Sequence, residues 1–307
     1  MARSNEFEGD DFSNNLFSDL APLLTLFGEQ VTKQFLSMSM GWSDNFLLAM
    51  GPLGIITIIV SAIRVGGGKR LKALIGRARE SRSIAEQGLL SSTSESVCEL
   101  WSGQQVVRLI GDSEGMSTLL INKNGNLLSL SEASMRGHIE LVPRSLRKAP
   151  ENPRNPRLKH EHRALFAPNL ALNAGNATVS SLELWLLAGL GLILQLLAVA
   201  FPGIASYHWN WRKSEAIDYG YPCFVLGTVC LTAGIVICGH IIEGATEERD
   251  FAITQKGLDS GFRFMVLQQD RSIGDQHFPP YVIFHTKNNN VLKISRLINE
   301  SRRYVWL

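Results

Sequence analysis

Apolar residues are concentrated in three long runs of the chain, whereas charged residues are scattered through the remainder. The runs contain no Asp, Glu, Lys, Arg or His, and they are FLLAMGPLGIITIIVSAI (46–63), LWLLAGLGLILQLLAVAFPGIAS (184–206) and PCFVLGTVCLTAGIVICG (222–239). A helix needs about 20 apolar residues to cross roughly 30 Å of hydrocarbon. The pattern therefore predicts three transmembrane helices in preference to a large soluble core.

Residues at the edges of the runs favour the same interpretation. Ser43, Asp44 and Asn45 precede the first run, and they are residue types that cap the N-termini of helices. Pro52 lies inside that run and predicts a kink in the first helix.

Shorter patterns in the central loop and the tail predict strands and the start of a helix. Strands are expected at 105–111, 116–121 and 127–131 in the central loop, and at 262–268, 281–286 and 291–295 in the tail. The Asn124-Gly125 pair predicts a hairpin turn between two loop strands. Residues 92–102 (STSESVCELWS) predict the start of a helix. We expect the loop strands and the tail strands to pair into one small module.

These patterns predict an α-helical integral membrane protein with about three transmembrane helices and a small mixed α/β cytosolic module. The module is formed by the loop over 66–181 and the C-terminal tail. The first predicted segment is acidic (1–45) and contains an amphipathic helix over 16–36. It is followed by helix one (46–65), the basic loop (66–181), helix two (182–206), a short non-cytosolic loop (207–221), helix three (222–242) and the tail (243–307).

Charge predicts how the chain is oriented in the membrane, because cytoplasmic loops carry an excess of Lys and Arg. Residues 64–181 contain 17 basic and 10 acidic side chains, a balance of +7, whereas residues 1–45 contain seven acidic and two basic ones, a balance of −5. The rule places the N-terminus outside the cytosol and both the loop and the tail inside it. The organelle is not specified by the sequence.

The stretch VGGGKRLKALIGRARESR (65–82) has the glycines of a phosphate-binding loop but not its spacing. Gly68-Lys69 is followed by Arg70, where a phosphate-binding loop needs Ser or Thr, and no glycine stands five positions earlier. The stretch instead predicts a basic amphipathic helix over 69–86 beside a membrane, attracted to anionic lipid. The residues expected to contact lipid are Lys69, Arg70, Lys72, Arg77, Arg79 and Arg82. Equally, these charges could serve only to fix the topology.

Three polar side chains in or beside the second and third apolar runs are candidates for a functional role. Gln195 is in the middle of the second run, and His240 and Glu243 lie one turn apart at the end of the third. Such groups at membrane depth indicate function or helix contacts, although at a helix end interfacial anchoring is the usual role. No motif predicts a catalytic residue, a metal ligand or a cofactor.

Several separate blocks of the chain resemble a set of uncharacterised multi-pass membrane proteins of filamentous fungi. The blocks are LAPLLTLFGEQVTKQFLSMSMGWSDNFLLAMGPLGIITIIVSAIRVGGGKRLKALIGRARES, SSTSESVCELWSGQQVVR, LELWLLAGLGLILQL, ICGHIIEGATEER and VLQQDRSIGDQHFPPYVIF. Some relatives continue into ankyrin repeats, which this sequence does not contain. The resemblance implies a membrane architecture and assigns no chemistry to any residue.

Three functions are compatible with these patterns. The first is a non-enzymatic, membrane-anchored scaffold or regulatory protein, whose partners would be the bilayer, anionic lipids and a cytosolic protein, with no nucleic acid. The second is a subunit of an oligomeric channel or transporter lined by Gln195, His240 and Glu243. The third is a membrane-bound enzyme using the thiol of Cys98, although no neighbouring residue in the sequence would activate it.

Overall fold

The structure is a computed structural model that describes residues 28–38, 41–51, 54–111, 115–142, 168–173, 181–208, 217–284 and 290–298. The chain forms two compact units, each assembled from two stretches of sequence. The helical unit comprises Met1–Ala78 and Val179–Glu243, and the α/β unit comprises Arg79–Thr178 and Gly244–Leu307.

The described helices follow one another along both units. They are α1 (28–38), α2 (Trp42–Met50), α3 (Ile55–Gly66), α4 (Lys69–Leu74), α5 (Arg82–Leu89), α6 (Leu130–Met135), α7 (Leu170–Asn173), α8 (Ser181–Tyr207), α9 (Ile217–Glu243) and α10 (Gln255–Asp259). The described strands all belong to the α/β unit. They are β1 (Val97–Trp101), β2 (Val106–Ile110), β3 (Met116–Ile121), β4 (Leu127–Ser129), β5 (Ile139–Val142), β6 (Thr246–Ile253), β7 (Arg263–Gln268), β8 (Arg271–Ile273), β9 (Gln276–Phe278), β10 (Tyr281–Phe284) and β11 (Val291–Leu297).

Helices α8 and α9 are, within the described chain, the two that are long and apolar enough to cross a membrane. Their apolar segments are Leu182–Ala205 and Tyr219–Glu243, and each matches one predicted run. At the usual helical rise the first segment extends about 36 Å, which exceeds the hydrocarbon thickness of roughly 30 Å. The helices run antiparallel, because Tyr221 near the start of α9 donates a hydrogen bond to the carbonyl of Val199 near the end of α8 (3.2 Å).

The first apolar run, predicted as one transmembrane helix over 46–65 with a kink at Pro52, instead forms two separate helices. Helix α2 ends at Met50 and α3 begins at Ile55, with Gly51 and Gly54 as their flanking residues. Pro52, the predicted kink, lies outside the described residues. Helix α3 extends only about 18 Å at the usual helical rise. It is therefore too short to cross a bilayer.

The start of this run was also misplaced by the sequence pattern. Ser43 and Asn45 were expected to cap the helix, but α2 already begins at Trp42 and has no side-chain cap. Ser43 and Asn45 are buried within the helical unit instead. Of the amphipathic helix predicted over 16–36, residues 16–27 lie outside the described part, and the remainder belongs to α1.

The basic helix predicted over 69–86 is also wrong, because the stretch forms two short helices. Helix α4 ends at Leu74, and Gly76 follows with a φ of 71°. This left-handed conformation terminates helices and favours glycine. Helix α5 begins at Arg82, where the backbone N–H of Ile84 donates to the hydroxyl of Ser81.

The predicted pairing of loop strands with tail strands is confirmed. Strand β3 of the loop pairs antiparallel with β7 of the tail, in the register Leu119 to Met265, and forms the four-stranded sheet β10-β7-β3-β4. Strand β5 pairs antiparallel with β6, in the register Leu141 to Phe251, and forms the three-stranded sheet β11-β6-β5. Strands β1 and β2, and strands β8 and β9, form two further pairs.

The turn between β3 and β4 is the predicted one. Gly125 adopts a φ of 81°, and the side chain of Asn122 accepts hydrogen bonds from the backbone N–H groups of Asn124 and Asn126. The helix predicted over 92–102 is wrong, since residues 97–101 form strand β1.

Two hydrophobic clusters form the core of the α/β unit. One includes Leu120, Phe264, Leu292 and Ile294, and thus joins β3 and β7 to β11. The other includes Cys98, Leu100, Met116 and Phe278. Because each cluster takes residues from both stretches of the chain, neither stretch has this core without the other.

Candidate functional site

A polar contact joins the start of α2 to the end of α9 in the helical unit. The side-chain amide of Asn45 donates to a carboxylate oxygen of Glu243 at 2.9 Å, and Asn45 is fully buried. The ring of His240 stacks on Trp42 with a centroid separation of 4.6 Å. We call Trp42, Asn45, His240 and Glu243 the polar clamp.

Close packing allows this contact to form. The Oδ1 atom of Asn45 lies 2.5 Å from the position that a Cβ atom at Gly239 would occupy, so any other residue there would displace the Asn45 side chain. Phe46, one residue further along α2, lies 6.2 Å between ring centroids from Trp185 of α8. The start of α8, the start of α2 and the end of α9 therefore meet at one end of the helical unit.

The structure brings together two of the three polar residues predicted in the apolar runs. His240 and Glu243 both belong to the polar clamp, whereas Gln195 is half-buried in the middle of α8. Gln195 lies about 15 Å from Trp185 along the helix axis. A single path lined by all three side chains of one molecule is therefore not formed.

A glycine pair on α9 gives a direct test of the polar clamp. The methyl group added by Gly239→Ala would overlap with the Asn45 side chain. We therefore expect this variant to destabilise the helical unit by about 1–3 kcal/mol. Gly234→Ala is the matched control on the same helix, since nothing lies within 4 Å of its added Cβ. Thermal aggregation of the purified full-length protein in detergent measures the difference. Equal midpoints for the two variants would contradict the contact.

The six basic residues predicted to contact lipid are divided between the two units. Lys69, Arg70 and Lys72 are on α4 of the helical unit, beside the exposed side chains of Leu71 and Leu74.

Arg77 is exposed in the following turn of the helical unit, and Arg79 is the first residue of the α/β unit. Arg82 is the first residue of α5, and its Nε and Nη2 atoms are buried. Arg82 is therefore less accessible than Lys69, Arg70, Arg77 and Arg79, which are exposed.

The α/β unit contains a buried ionic network that the sequence did not indicate. Glu99 on β1 accepts from Arg108 Nη1 on β2 at 2.7 Å, and the two residues are paired across the strands. Glu86 on α5 accepts from the hydroxyls of Ser92 and Ser94, each at 2.8 Å. Arg108 also donates to the backbone carbonyl of Ser92, so its guanidinium contacts the Glu99 carboxylate directly and is connected to the Glu86 carboxylate only through Ser92.

Burial dominates the protonation chemistry of this network, because it disfavours the charged form of each group. It raises the pKa of Glu86, against the opposing effect of the Ser92 and Ser94 hydroxyls and of nearby arginines. It likewise raises the pKa of Glu99, against the backbone N–H of Ala171 and the charge of Arg108. Burial also lowers the pKa of Arg296, which donates to the hydroxyl of Thr93, to about 10.

Helix α7 is bonded to Glu99 of this network and lies along the edge of β11 that does not pair with β6. The N–H of Ala171 donates to Glu99 at 2.9 Å, which fixes the start of the helix. The Asn173 side chain then accepts from the N–H of Lys293 and donates to its carbonyl, at 2.9 and 2.8 Å. The Asn169 side chain accepts from the N–H of Ser295. These amides satisfy backbone groups that an edge strand would otherwise leave open.

The network is suited to holding the unit together rather than to reaction chemistry. Glu86 and Glu99 are 1% and 2% exposed, so a substrate cannot reach either carboxylate. Cys98, the nucleophile of the enzyme hypothesis, is fully buried in the hydrophobic core. Within the described ranges, no group of three or more His, Cys, Asp and Glu side chains is placed to hold a metal ion.

Comparison with known proteins returned no match to this chain, whether to a protein family, a curated protein or a solved structure.

Proposed function

We propose that the protein is a membrane-anchored scaffold or regulatory protein without enzymatic activity. In this proposal α8 and α9 cross the bilayer as a hairpin, and the α/β unit is the part that binds a cytosolic protein. The observation that carries the proposal is a pair of long helices whose surfaces are apolar and exposed.

The exposure of these helices argues against their being the core of a soluble protein. Only 6% of the apolar window of α8 and 17% of that of α9 are buried inside the protein. Large side chains such as Leu186, Leu194 and Leu226 are 65%, 58% and 64% exposed. Since monomeric soluble proteins rarely expose apolar patches of this extent, lipid is the environment that fits them. Their position in the middle of the chain also does not suit a signal sequence.

The connectivity of the α/β unit supports an interaction role. Its first stretch ends at Thr178, shortly before α8, and its second stretch begins at Gly244, directly after α9, and the strands of the two stretches pair into common sheets. A partner bound to either stretch therefore acts on a unit that is attached to the membrane hairpin at both ends.

The basic residues of α4 and its following turn, which are exposed except for the half-buried Lys72, support contact with anionic lipid. The sequence from 64 to 79 contains no acidic residue, so no negative charge lies among Lys69, Arg70, Lys72 and Arg77. Leu74, beside them, is largely exposed, which suits the boundary between head groups and acyl chains. Basic residues at such a surface contribute about 1 kcal/mol each.

Lipid contact is tested with the full-length protein in nanodiscs. We expect amide hydrogen exchange over residues 69–77 to be slower in discs containing phosphatidylserine than in phosphatidylcholine discs, and the difference to disappear at high salt. Replacing Lys69, Arg70, Lys72 and Arg77 together with Gln should abolish it. Lys123→Gln with Arg263→Gln, at exposed positions of the α/β unit, is the control and should preserve it. Exchange that does not depend on the lipid would contradict this part of the proposal.

A subunit of an oligomeric channel or transporter is the second candidate. It is favoured by the broken helix α2–α3 and by the buried Asn45–Glu243 contact. Discontinuous helices and paired polar groups recur at transport sites. Since Gln195 lies apart from His240 and Glu243, a path using all three needs several subunits. A protein that is strictly monomeric in detergent and in lipid would exclude this candidate.

A further inference from the structure

Both ends of the segment formed by α2 and α3 contact the same end of α9. Trp42 and Asn45 at its start contact His240 and Glu243. At the other end of the segment, Gly66 packs so closely on Ile241 that an added Cβ would collide with that side chain.

The contacts decide how the segment runs. Residues 42–66 would extend about 37 Å as a continuous helix, which would place Trp42 and Gly66 at opposite ends of α9. Instead both residues contact the stretch between His240 and Glu243. The chain therefore reverses direction between α2 and α3.

The depth of this reversal follows from α8. The side chain of Met50, the last residue of α2, lies 3.0 Å from the position of a Cβ at Gly191. Gly191 lies about 14 Å beyond Leu182 along the axis of α8. This distance is about half of the roughly 30 Å thickness of the hydrocarbon layer.

We propose that residues 42–66 form a re-entrant hairpin, which penetrates the bilayer to about its middle and leaves it on the side from which it came. The inference deepens the proposed function and rests on it, because it takes α8 and α9 as the spanning helices. The hairpin then contacts only the leaflet on the side of the 79–178 stretch. Ile56 and Ile59, which are exposed on α3, face the acyl chains of that leaflet.

Protein covers the turn of the hairpin at Gly54, as irregular backbone at membrane depth requires, whereas Gly51 on the α2 side of the turn is exposed. A Cβ at Gly54 would lie 2.8 Å from the Thr32 hydroxyl and 3.1 Å from the Gly28 carbonyl oxygen, so α1 packs directly on the turn. Thr32 is itself buried. The predicted position of the N-terminus outside the cytosol depended on residues 45 and 66 lying on opposite sides of the membrane. A re-entrant hairpin places both residues on the same side, so this prediction loses its basis.

Cysteine labelling of the full-length protein in sealed membrane vesicles tests the hairpin. Gly41→Cys and Gly68→Cys report the two ends, and nothing lies within 4 Å of an added Cβ at either position. Asn124→Cys reports the exposed turn of the α/β unit, and His208→Cys reports the exposed end of α8 between the two spanning helices. Each variant is treated with a membrane-impermeant maleimide before and after permeabilisation, with the parent protein as the blank. Lys69→Cys replaces Gly68→Cys if that variant aggregates.

We expect positions 41, 68 and 124 to be labelled from the same side and position 208 from the other. Labelling of position 41 together with 208, opposite to 68 and 124, would overturn the hairpin while leaving the spanning helices intact. Labelling of 208 together with 124 would instead show that α8 and α9 do not cross the bilayer, and would overturn the proposed function and the hairpin with it.

Discussion

We expect Leu194→Arg to remove most of the protein from the membrane fraction. Leu194 lies at the centre of the apolar segment Leu182–Ala205 and is largely exposed. On the insertion scale, Arg at the centre of a helix costs about 2.5–3.5 kcal/mol, whereas Leu contributes favourably by about 0.3–0.6 kcal/mol. The difference of about 3 kcal/mol corresponds to roughly a hundredfold change in the insertion equilibrium. Resistance to extraction by alkaline carbonate measures the inserted fraction.

The same substitution has the opposite meaning if α8 faces water. An exposed Leu→Arg change in a soluble protein alters stability by less than about 0.5 kcal/mol and improves solubility. Leu194→Phe is the matched control, since Phe is as compatible with lipid as Leu. We expect this variant to sediment with the membranes like the parent protein. A folded Leu194→Arg protein in the supernatant, accompanied there by the parent protein, would contradict the membrane assignment.

Features that depend on local composition were predictable from the sequence. The two long helices follow from uninterrupted apolar runs, because the length of each run and its lack of charge can be read without knowing what the helix contacts. The β3–β4 hairpin follows from Asn124-Gly125, because glycine provides the positive φ that the turn requires. The pairing of β3 with β7 was predicted only in outline, since strand patterns identify strands but not their register.

The first apolar run shows where local composition is insufficient. Its hydrophobic content resembles that of the other two runs, but it is divided into α2 and α3, and both of these helices contact the end of α9. These contacts depend on glycines of both partners, such as Gly66 against Ile241 and Gly239 against Asn45. A hydrophobic pattern cannot distinguish a glycine that allows close packing from one that does not.

Strand β1 was missed because its burial lacks the alternation expected of a strand. Val97, Cys98, Glu99 and Leu100 are all buried, so both faces of the strand are covered. In the sequence alone, Glu99 among these apolar residues resembles a polar position of a helix, because its partner is not visible there. Its partner Arg108 lies in the next strand, and Arg296 comes after both α8 and α9 in the sequence. No spacing rule connects such residues, so the network could not be predicted.

The strongest effect within the α/β unit is expected for Glu99→Ala. This change leaves Arg108, whose side chain is 17% exposed, without its carboxylate partner, and we expect a cost at the lower end of the range for buried ion pairs, about 3 kcal/mol. Cys98 provides the measurement, because it is fully buried and its alkylation therefore requires the unit to open. Mass spectrometry of the Cys98 peptide gives the alkylation rate in the full-length protein. Since about 1.4 kcal/mol equals a factor of ten, we expect the rate to rise by at least about a hundredfold.

An exposed ion pair of the same unit provides the control for this experiment. Glu132 and Arg136 are paired on α6 through largely exposed side chains, and exposed pairs of this kind contribute less than about 1 kcal/mol. We therefore expect Glu132→Ala to leave the alkylation of Cys98 nearly unchanged. Equal rates for Glu99→Ala and Glu132→Ala would contradict a stabilising role for the buried network.

Two further variants separate the charge of Glu99 from its geometry. Glu99→Gln removes the charge but retains an oxygen that can accept from the N–H of Ala171, so α7 keeps the contact at its start. We expect this variant to open less often than Glu99→Ala. Arg108→Met in the Glu99→Gln background removes the remaining uncompensated charge and should slow the alkylation of Cys98 again, because a buried pair replaced at both positions is close to neutral. Alkylation that becomes faster in the double variant would show that Arg108 stabilises the unit through its bond to the Ser92 carbonyl rather than through Glu99.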